Sequence, residues 1–322
     1  DLGGSRGKST AVARLRWDGR DSRNGSIAWV DEVSTRHRGG QPWCDGALVD
    51  YLASLGSGVV VAIDAPLTVP ACLRCQVPSC PGYSACEVPA TVWLRTVGEE
   101  LQASSLATSM IDDRDRVVAL PSSSPPRTLG GGAGAGNGSG SGNGSSNGSS
   151  NGAGRNGSGG PPVSKQRLAP YTHRCTEVLL HYTRDVVPRE NLSQGVGPVS
   201  ARAAHLRRVL AGHGFELNRN LLEVSPRGTV HALFGRRRAR GYKRDADPWN
   251  TRAQIIEELG DRLRFAPSSR LSKEEVLRND HCFDALLSGF TAVLWARDDW
   301  QLPGDGEPFA SDGWIWVPPE QG

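Results

Sequence analysis

The stretch from Val59 to Asp64 constrains the fold more than any other segment of this sequence. Its first five residues are apolar, and four of them are β-branched, which is typical of a strand buried on both faces. Pro66 follows two residues after Asp64 and ends the strand, because proline lacks the N–H that a sheet ladder needs. Open α/β sheets bind ligands beyond the carboxyl ends of their strands. The stretch therefore predicts an α/β domain in which Asp64 either holds a ligand or only caps the next segment.

Three other segments present an acid in a similar way. Glu223 lies near the end of a short apolar strand that Pro226 terminates, and Asp284 interrupts a helix that is apolar nearly all round. Burying an ionised carboxylate without a partner is very costly, so Asp284 requires a cation, a proton or strong donors. Asp1 opens a short Leu-Gly-Gly turn, which we interpret as the tail of a strand whose body lies upstream of Asp1.

Composition favours a single elaborated domain. The chain has 322 residues, but a tract at 121–165 consists mainly of Pro, Gly, Ser and Asn and predicts a flexible, disordered linker. The domain would then comprise residues 1–120 and 166–322. The formal net charge of +3 does not by itself indicate nucleic-acid binding, and no apolar run approaches the length of a membrane span.

Cysteine spacing predicts a metal site. Four of the seven cysteines, Cys72, Cys75, Cys80 and Cys86, lie within fifteen residues and are interrupted by proline and glycine. Thiolates clustered in this way suit Zn²⁺ or an iron–sulfur cluster, and unpaired cysteines clustered by chance are the alternative. We therefore expect a cysteine-rich, metal-binding insert at 71–95. The same cysteine usage predicts a reducing, cytoplasmic location.

Charged side chains mark two further candidates. Arg174 and Glu177 are three residues apart at the start of a predicted helix, either beside the active site or as a surface ion pair. The densest basic run in the chain predicts either a solvated loop or a contact with the phosphate backbone of nucleic acid. Its residues are Arg236, Arg237, Arg238, Arg240, Lys243 and Arg244.

The order of these motifs resembles one family, the domain of unknown function 429, whose members are regarded as predicted nucleases with a ribonuclease H-like fold. The phrases that carry the resemblance are Val61-Ala62-Ile63-Asp64-Ala65-Pro66-Leu67, Arg174-x-x-Glu177, Leu222-Glu223-Val224-Ser225-Pro226, Tyr242-Lys243 and His281-Cys282-Phe283-Asp284-Ala285. The cysteine-rich insert also resembles that of some members. Ser225 departs from the family pattern, which usually has an aromatic residue at this position.

The resemblance implies a fold, a metal site and a reaction. The fold would be a ribonuclease H-like mixed sheet flanked by helices. Mg²⁺ or Mn²⁺ would be held by four acids, which are Asp1, Asp64, Glu223 and Asp284. Arg174 and Glu177 would lie nearby. Such a site would hydrolyse phosphodiester bonds in DNA, RNA or a hybrid.

Two other functions stay open at this point. A nucleic-acid-binding module could keep the fold and lose catalysis, although retained acids argue against it because carboxylates without a metal repel phosphate. The Asp-Leu-Gly-Gly start also resembles the first phosphate motif of actin-like ATPases and sugar kinases. Those enzymes need a second, duplicated half, which this sequence does not contain. Neither the preferred nucleic acid nor the oligomeric state follows from the sequence.

Overall fold

The computed structural model describes residues 1–4, 8–19, 27–37, 40–104, 168–184, 186, 197–303 and 306–319. The linker predicted at 121–165 lies outside these residues, as does the end of the predicted segment 1–120. The described residues on both sides of that tract belong to one packed unit. No helix in the described part of the chain is both long enough and apolar enough to span a membrane.

The strands form two three-stranded sheets. The first contains β1 (Val12–Trp17), β2 (Ala28–Ser34) and β5 (Leu263–Phe265), and the second contains β3 (Val61–Ile63), β4 (Leu221–Val224) and β6 (Ile315–Trp316). In the first sheet β1 runs antiparallel to β2, whereas β2 and β5 are parallel. The second sheet is parallel throughout, which agrees with the nearly continuous apolar sequence of β3 and β4.

A groove lies between the two sheets, where we had expected one continuous mixed sheet. Consecutive residues of β1 and of β3 line it, so the hydrogen-bonding edges of both strands face this space of about 630 Å³. Helical residues line it as well, among them Leu52, Leu206, Ala285 and Gly289. The expectation of an α/β architecture is confirmed at the level of mixed helices and sheets, but the described strands do not form a single sheet.

Helices cover both sheets. In chain order they are α1 (Asp45–Leu55), α2 (Pro89–Trp93), α3 (Cys175–Arg184), α4 (Gly197–Ala211), α5 (Pro226–Arg244), α6 (Pro248–Glu258), α7 (Arg270–Arg278), α8 (Asp280–Asp298) and α9 (Glu307–Asp312). A π-helical turn at Leu94–Gly98 continues into a helical segment at 99–104, and short 3-10 turns lie at Ala71–Arg74, Tyr83–Ala85 and Pro267–Ser269.

Helix α8 is buried along most of its length. Phe283, Leu286, Leu287 and Phe290 are at most 1% exposed and belong to the core that covers the first sheet. Asn279 caps the helix, because its side-chain oxygen accepts the N–H of His281 at 2.9 Å. The small residues of α8 allow it to approach β1 closely: a Cβ added to Gly289 would lie 2.7 Å from a methyl group of Leu15.

Helix α5 carries the basic run, so the predicted solvated loop is wrong at this position. Ser225 caps the helix by accepting the N–H of Gly228 at 3.2 Å, and Pro226 occupies the first turn, where its missing N–H costs nothing. Gly235 interrupts the helix with φ of 81°, a backbone conformation that favours glycine. The residues after this kink form the last turns of α5.

Candidate functional site

Three of the four acids singled out in the sequence converge at one point. One carboxylate oxygen from each of Asp1, Asp64 and Asp284 lies within 4.8 Å of the other two. Asp284 is fully buried, and Asp1 and Asp64 are partly buried. Three oxygen ligands at this spacing fit the donor set that hard divalent ions such as Mg²⁺ and Mn²⁺ prefer. We refer to these residues as the acidic triad.

The triad is assembled from remote parts of the sequence. Asp64 directly follows β3, and Asp284 lies in the second turn of α8. The backbone nitrogen of Asp1 donates to the carbonyl oxygen of Ala11 at 3.0 Å, and the N–H of Ala11 donates back at 3.1 Å. This reciprocal pair is typical of antiparallel strands, so Asp1 is held beside the start of β1.

Three side chains contact the carboxylates of the triad. The hydroxyl group of Tyr242 donates to Asp284 Oδ1 at 3.0 Å, and Lys243 Nζ forms an ion pair with Asp284 Oδ2. His281 Nδ1 lies 2.6 Å from Asp1 Oδ2. Burial, together with the charge of Asp284 and Asp64, raises the pKa of Tyr242 well above its usual value, so the phenol remains a donor.

Sequence reasoning did not assign Tyr242 or His281 to the site, and it assigned Lys243 only to nucleic-acid binding. A signal for His281 was present, since it precedes Asp284 by three residues and therefore lies one helical turn away from it. No comparable local signal linked Tyr242 to Asp284, because α5 and α8 are distant in sequence.

Glu223 is not part of this group. Its carboxylate accepts from Arg174 Nη2 at 2.6 Å, from Arg174 Nη1 at 2.8 Å and from the N–H of Leu67 at 2.8 Å. Strand register explains the difference: Glu223 pairs with Ile63, so it shares a face with Ile63, whereas Asp64 is one residue further along. Since successive side chains of a strand point to opposite faces, Asp64 and Glu223 diverge.

Arg174 is fully buried, so the alternative of a surface ion pair with Glu177 is wrong. Its guanidinium group binds Glu177 Oε1 at 2.9 Å, the carboxylate of Glu223 and the hydroxyl oxygen of Thr68 at 2.7 Å. Burial opposes the charged form of Arg174, but attraction to Glu177 and Glu223 outweighs it and raises the pKa of the guanidinium group. Burial raises the pKa of Glu177 as well, although Arg174 opposes that shift.

The same residues fix the start of α3. Glu177 Oε2 accepts the backbone N–H of Arg174 at 3.0 Å, which is one half of a capping box. Asp312 Oδ2 accepts the N–H of Cys175 at 2.7 Å, and Arg74 Nη2 binds Asp312 Oδ1 at 2.8 Å. Arg174, Glu177 and Glu223 thus form a buried network of hydrogen bonds. Because its polar groups are paired, this network fixes the side chains in one arrangement at the carboxyl edge of the second sheet.

A cavity of about 330 Å³ adjoins the triad. Asp64 and Lys243 line it on the side of the triad, and the buried Arg174 and Glu223 line its deep end. Arg227 and residues from the last turns of α5 line it as well.

The predicted nucleic-acid-binding residues fall into two groups. Arg240, Lys243 and Arg244 line this cavity. Arg236 and Arg237 are exposed on the same helix and do not line it, while Arg238 forms an ion pair with Glu258 at 2.5 Å. The sequence did not separate these groups, because the distinction depends on the direction of each side chain after the kink at Gly235.

The four clustered cysteines lie on the loops around the short 3-10 turns. Cys72, Cys75 and Cys80 are exposed and Cys86 is partly exposed. Burial first, and then the neighbouring thiols, raise the pKa of Cys72. Within the described residues the acidic triad satisfies the 4.8 Å distance of a metal site, and the four thiols do not form such a group. The zinc or iron–sulfur site therefore stays a prediction from the spacing.

We expect the chain, purified without chelator under anaerobic conditions, to contain about one zinc ion or one iron–sulfur cluster. Elemental analysis checks this expectation. Replacing Cys72 and Cys75 together with Ser should remove that metal, because two of four thiolate ligands are lost, and should leave binding of Mn²⁺ to the triad in place. A protein that contains neither zinc nor iron would contradict the prediction.

Comparison with known proteins gives a match to a family model. Searches of curated proteins and of solved structures find no similar protein. The match to the family model includes Arg174, Glu177, Glu223 and Asp284. Asp1 and Asp64 lie before the matched segment. Residues 165–307 match the family model described as "Protein of unknown function (DUF429)", which supports the assignment of the chain to that family.

Proposed function

We propose that this protein is a metal-dependent nuclease with a ribonuclease H-like active site. The observation that carries the proposal is the convergence of Asp1, Asp64 and Asp284 from three remote segments within 4.8 Å. Like charges repel at such distances, and Lys243 supplies one positive charge for three carboxylates, so a divalent ion would neutralise the remaining charge. A cavity lined by arginines beside the triad supports a substrate that carries phosphate.

The acidic triad would hold Mg²⁺ or Mn²⁺, because carboxylate oxygens are the ligands that these hard ions prefer. Such an ion, when bound, activates water and stabilises the negative charge that develops on a phosphodiester. The protein itself contributes cations at the same place. Lys243 binds Asp284 and also lines the cavity, so its ammonium group can contact either the carboxylate or a phosphate oxygen.

Glu223 has a positioning role in this proposal. Glu223 accepts the N–H of Leu67, which fixes the turn that follows Asp64, and Arg174 in turn fixes Glu223. The sequence-based assignment of Glu223 to the metal is therefore replaced by an assignment to the support of Asp64. Arg174 and Glu177 act through the same contacts and do not contact the triad.

Cleavage of a panel of labelled nucleic acids tests the proposal. The panel contains single-stranded and double-stranded DNA, single-stranded RNA and an RNA–DNA hybrid, each with Mg²⁺, Mn²⁺ or EDTA. We expect at least one member to be cleaved with a divalent ion and none to be cleaved with EDTA. Binding without cleavage under every condition would contradict the proposal and favour the inactive nucleic-acid-binding module.

A further inference from the structure

The cavity beside the triad carries an excess of positive charge. Within the described residues, the guanidinium groups of Arg227, Arg240 and Arg244 form no hydrogen bond or ion pair, although all three line the cavity. The other two cations of the lining are paired: Arg174 binds Glu223, and Lys243 binds Asp284. Unpaired guanidinium groups around a concave surface attract an anion, and arginine favours phosphate because its donors match phosphate oxygens.

The cavity has a buried floor and a charged rim. Arg174, Glu223 and Ile315 line the floor and are each less than 5% exposed. Arg240 and Arg244 are exposed, so they lie at the rim. A concave site of this kind can accept the end of a strand or a small molecule.

The size and the walls of the cavity match one nucleotide unit. Its volume of about 330 Å³ lies at the lower end of the range for small-molecule pockets. Pro66, Val199 and Ala239 supply apolar wall area, whereas the arginines supply donors. A phosphate attached to a sugar and a base combines both requirements, since its anionic end pairs with guanidinium groups and its ring systems contact apolar surface.

We propose that this cavity binds a single nucleoside monophosphate unit, with its phosphate on Arg227 and Arg244. The bound unit could be a free nucleotide or the terminal nucleotide of a strand, because both carry the same groups. The position of the cavity next to the acidic triad favours the strand end, because the phosphodiester that follows the terminal unit then lies towards Asp64. That orientation rests on the proposed nuclease function, whereas binding of the nucleotide does not.

Calorimetric titration with uridine 5′-monophosphate in EDTA tests binding without any divalent ion. We expect a dissociation constant of about 1 mM or below, weaker binding of inorganic phosphate and no detectable binding of uridine. No measurable binding of uridine 5′-monophosphate to the unmodified chain would overturn the proposal.

Matched substitutions locate the site. Replacing Arg227 and Arg244 together with Gln should weaken binding about tenfold or more, because two charge-assisted contacts are lost. The control is Arg264→Gln, which removes one exposed charge from β5, outside the cavity. The Arg236→Gln, Arg237→Gln double variant should likewise bind uridine 5′-monophosphate as the unmodified chain does. Equal weakening in the controls would overturn the proposal, because it would indicate a general electrostatic effect.

Linear and circular single strands of one sequence distinguish the two sources. With Mg²⁺ or Mn²⁺, the linear strand should be shortened from an end, and the circular strand should resist cleavage. Equally fast cleavage of the circle would overturn the assignment to a strand end and identify a free nucleotide as the occupant. Binding that persists in a chain without any cleavage activity would overturn the nuclease function and retain the nucleotide site.

Discussion

Replacing Asp284 with Asn is expected to abolish metal-dependent cleavage while the chain stays folded. Asp284 is the fully buried member of the acidic triad, and an amide is a much poorer ligand for a hard divalent ion than a carboxylate. Removing a side chain that only supports a metal ligand lowers metal affinity or activity about 10–100-fold. Loss of a direct ligand should therefore lower the cleavage rate by more than about 100-fold. Initial rates on the best substrate of the nucleic-acid panel provide the measurement.

The same substitution should lower stability moderately. Asn keeps an oxygen that can accept from Tyr242, but it loses the ion pair with Lys243. Because Lys243 is 27% exposed and can return to water, we expect a loss of about 1–3 kcal/mol in the free energy of unfolding. Circular dichroism and chemical denaturation separate this effect from the loss of activity.

Asp261→Asn is the matched control, since Asp261 is exposed in the turn after α6. It should retain the activity and the stability of the unmodified chain. An Asp284→Asn variant that is folded and cleaves as fast as this control would show that the triad is not the catalytic metal site.

Replacing Arg174 with Met is expected to cause a large loss of stability. The change leaves Glu177 and Glu223 buried without their shared cation, although it roughly preserves side-chain length. Breaking a buried ion pair by removing one partner costs about 3–5 kcal/mol. Urea denaturation monitored by circular dichroism should therefore show a transition at a much lower urea concentration.

Two comparisons test the cause of that loss. Arg219→Met removes a pair with the same i,i+3 spacing, but Arg219 and Glu216 are 76% and 61% exposed, so we expect a change below about 1 kcal/mol. Adding Glu177→Gln and Glu223→Gln to Arg174→Met should recover part of the loss, because no buried charge then lacks a partner. Equal losses for Arg174→Met and Arg219→Met would contradict the role of the buried network.

The sequence identified the acids that lie in apolar segments, where burying an ionised carboxylate costs free energy. Asp64 ends a buried strand and Asp284 interrupts a buried helix, and both lie in the triad. Glu223 shows the same strand-end pattern, but its carboxylate binds Arg174, which lies 49 residues earlier. A strand-end pattern predicts the edge of the sheet that an acid reaches. It predicts neither the face on which the acid lies nor the side chain that it meets.

Long-range pairing limited the prediction of the fold in the same way. The continuous apolar pattern correctly predicted β3, but such a pattern contains no information about which strands lie side by side. The separation of the two sheets by a groove therefore could not be anticipated. The basic run illustrates a related limit, since its charge suggested solvent exposure and gave no sign that Ser225 caps a helix there.

Counting bound Mn²⁺ by electron paramagnetic resonance tests whether Asp1, Asp64 and Asp284 form a site for a hard divalent ion. Loss of the signal of free Mn²⁺ reports binding without any assumption about the substrate. We expect at least about one Mn²⁺ per unmodified chain, and loss of that binding in Asp64→Asn and in Asp284→Asn. Equal binding by the unmodified chain and both variants, or no binding by any of them, would contradict the claim.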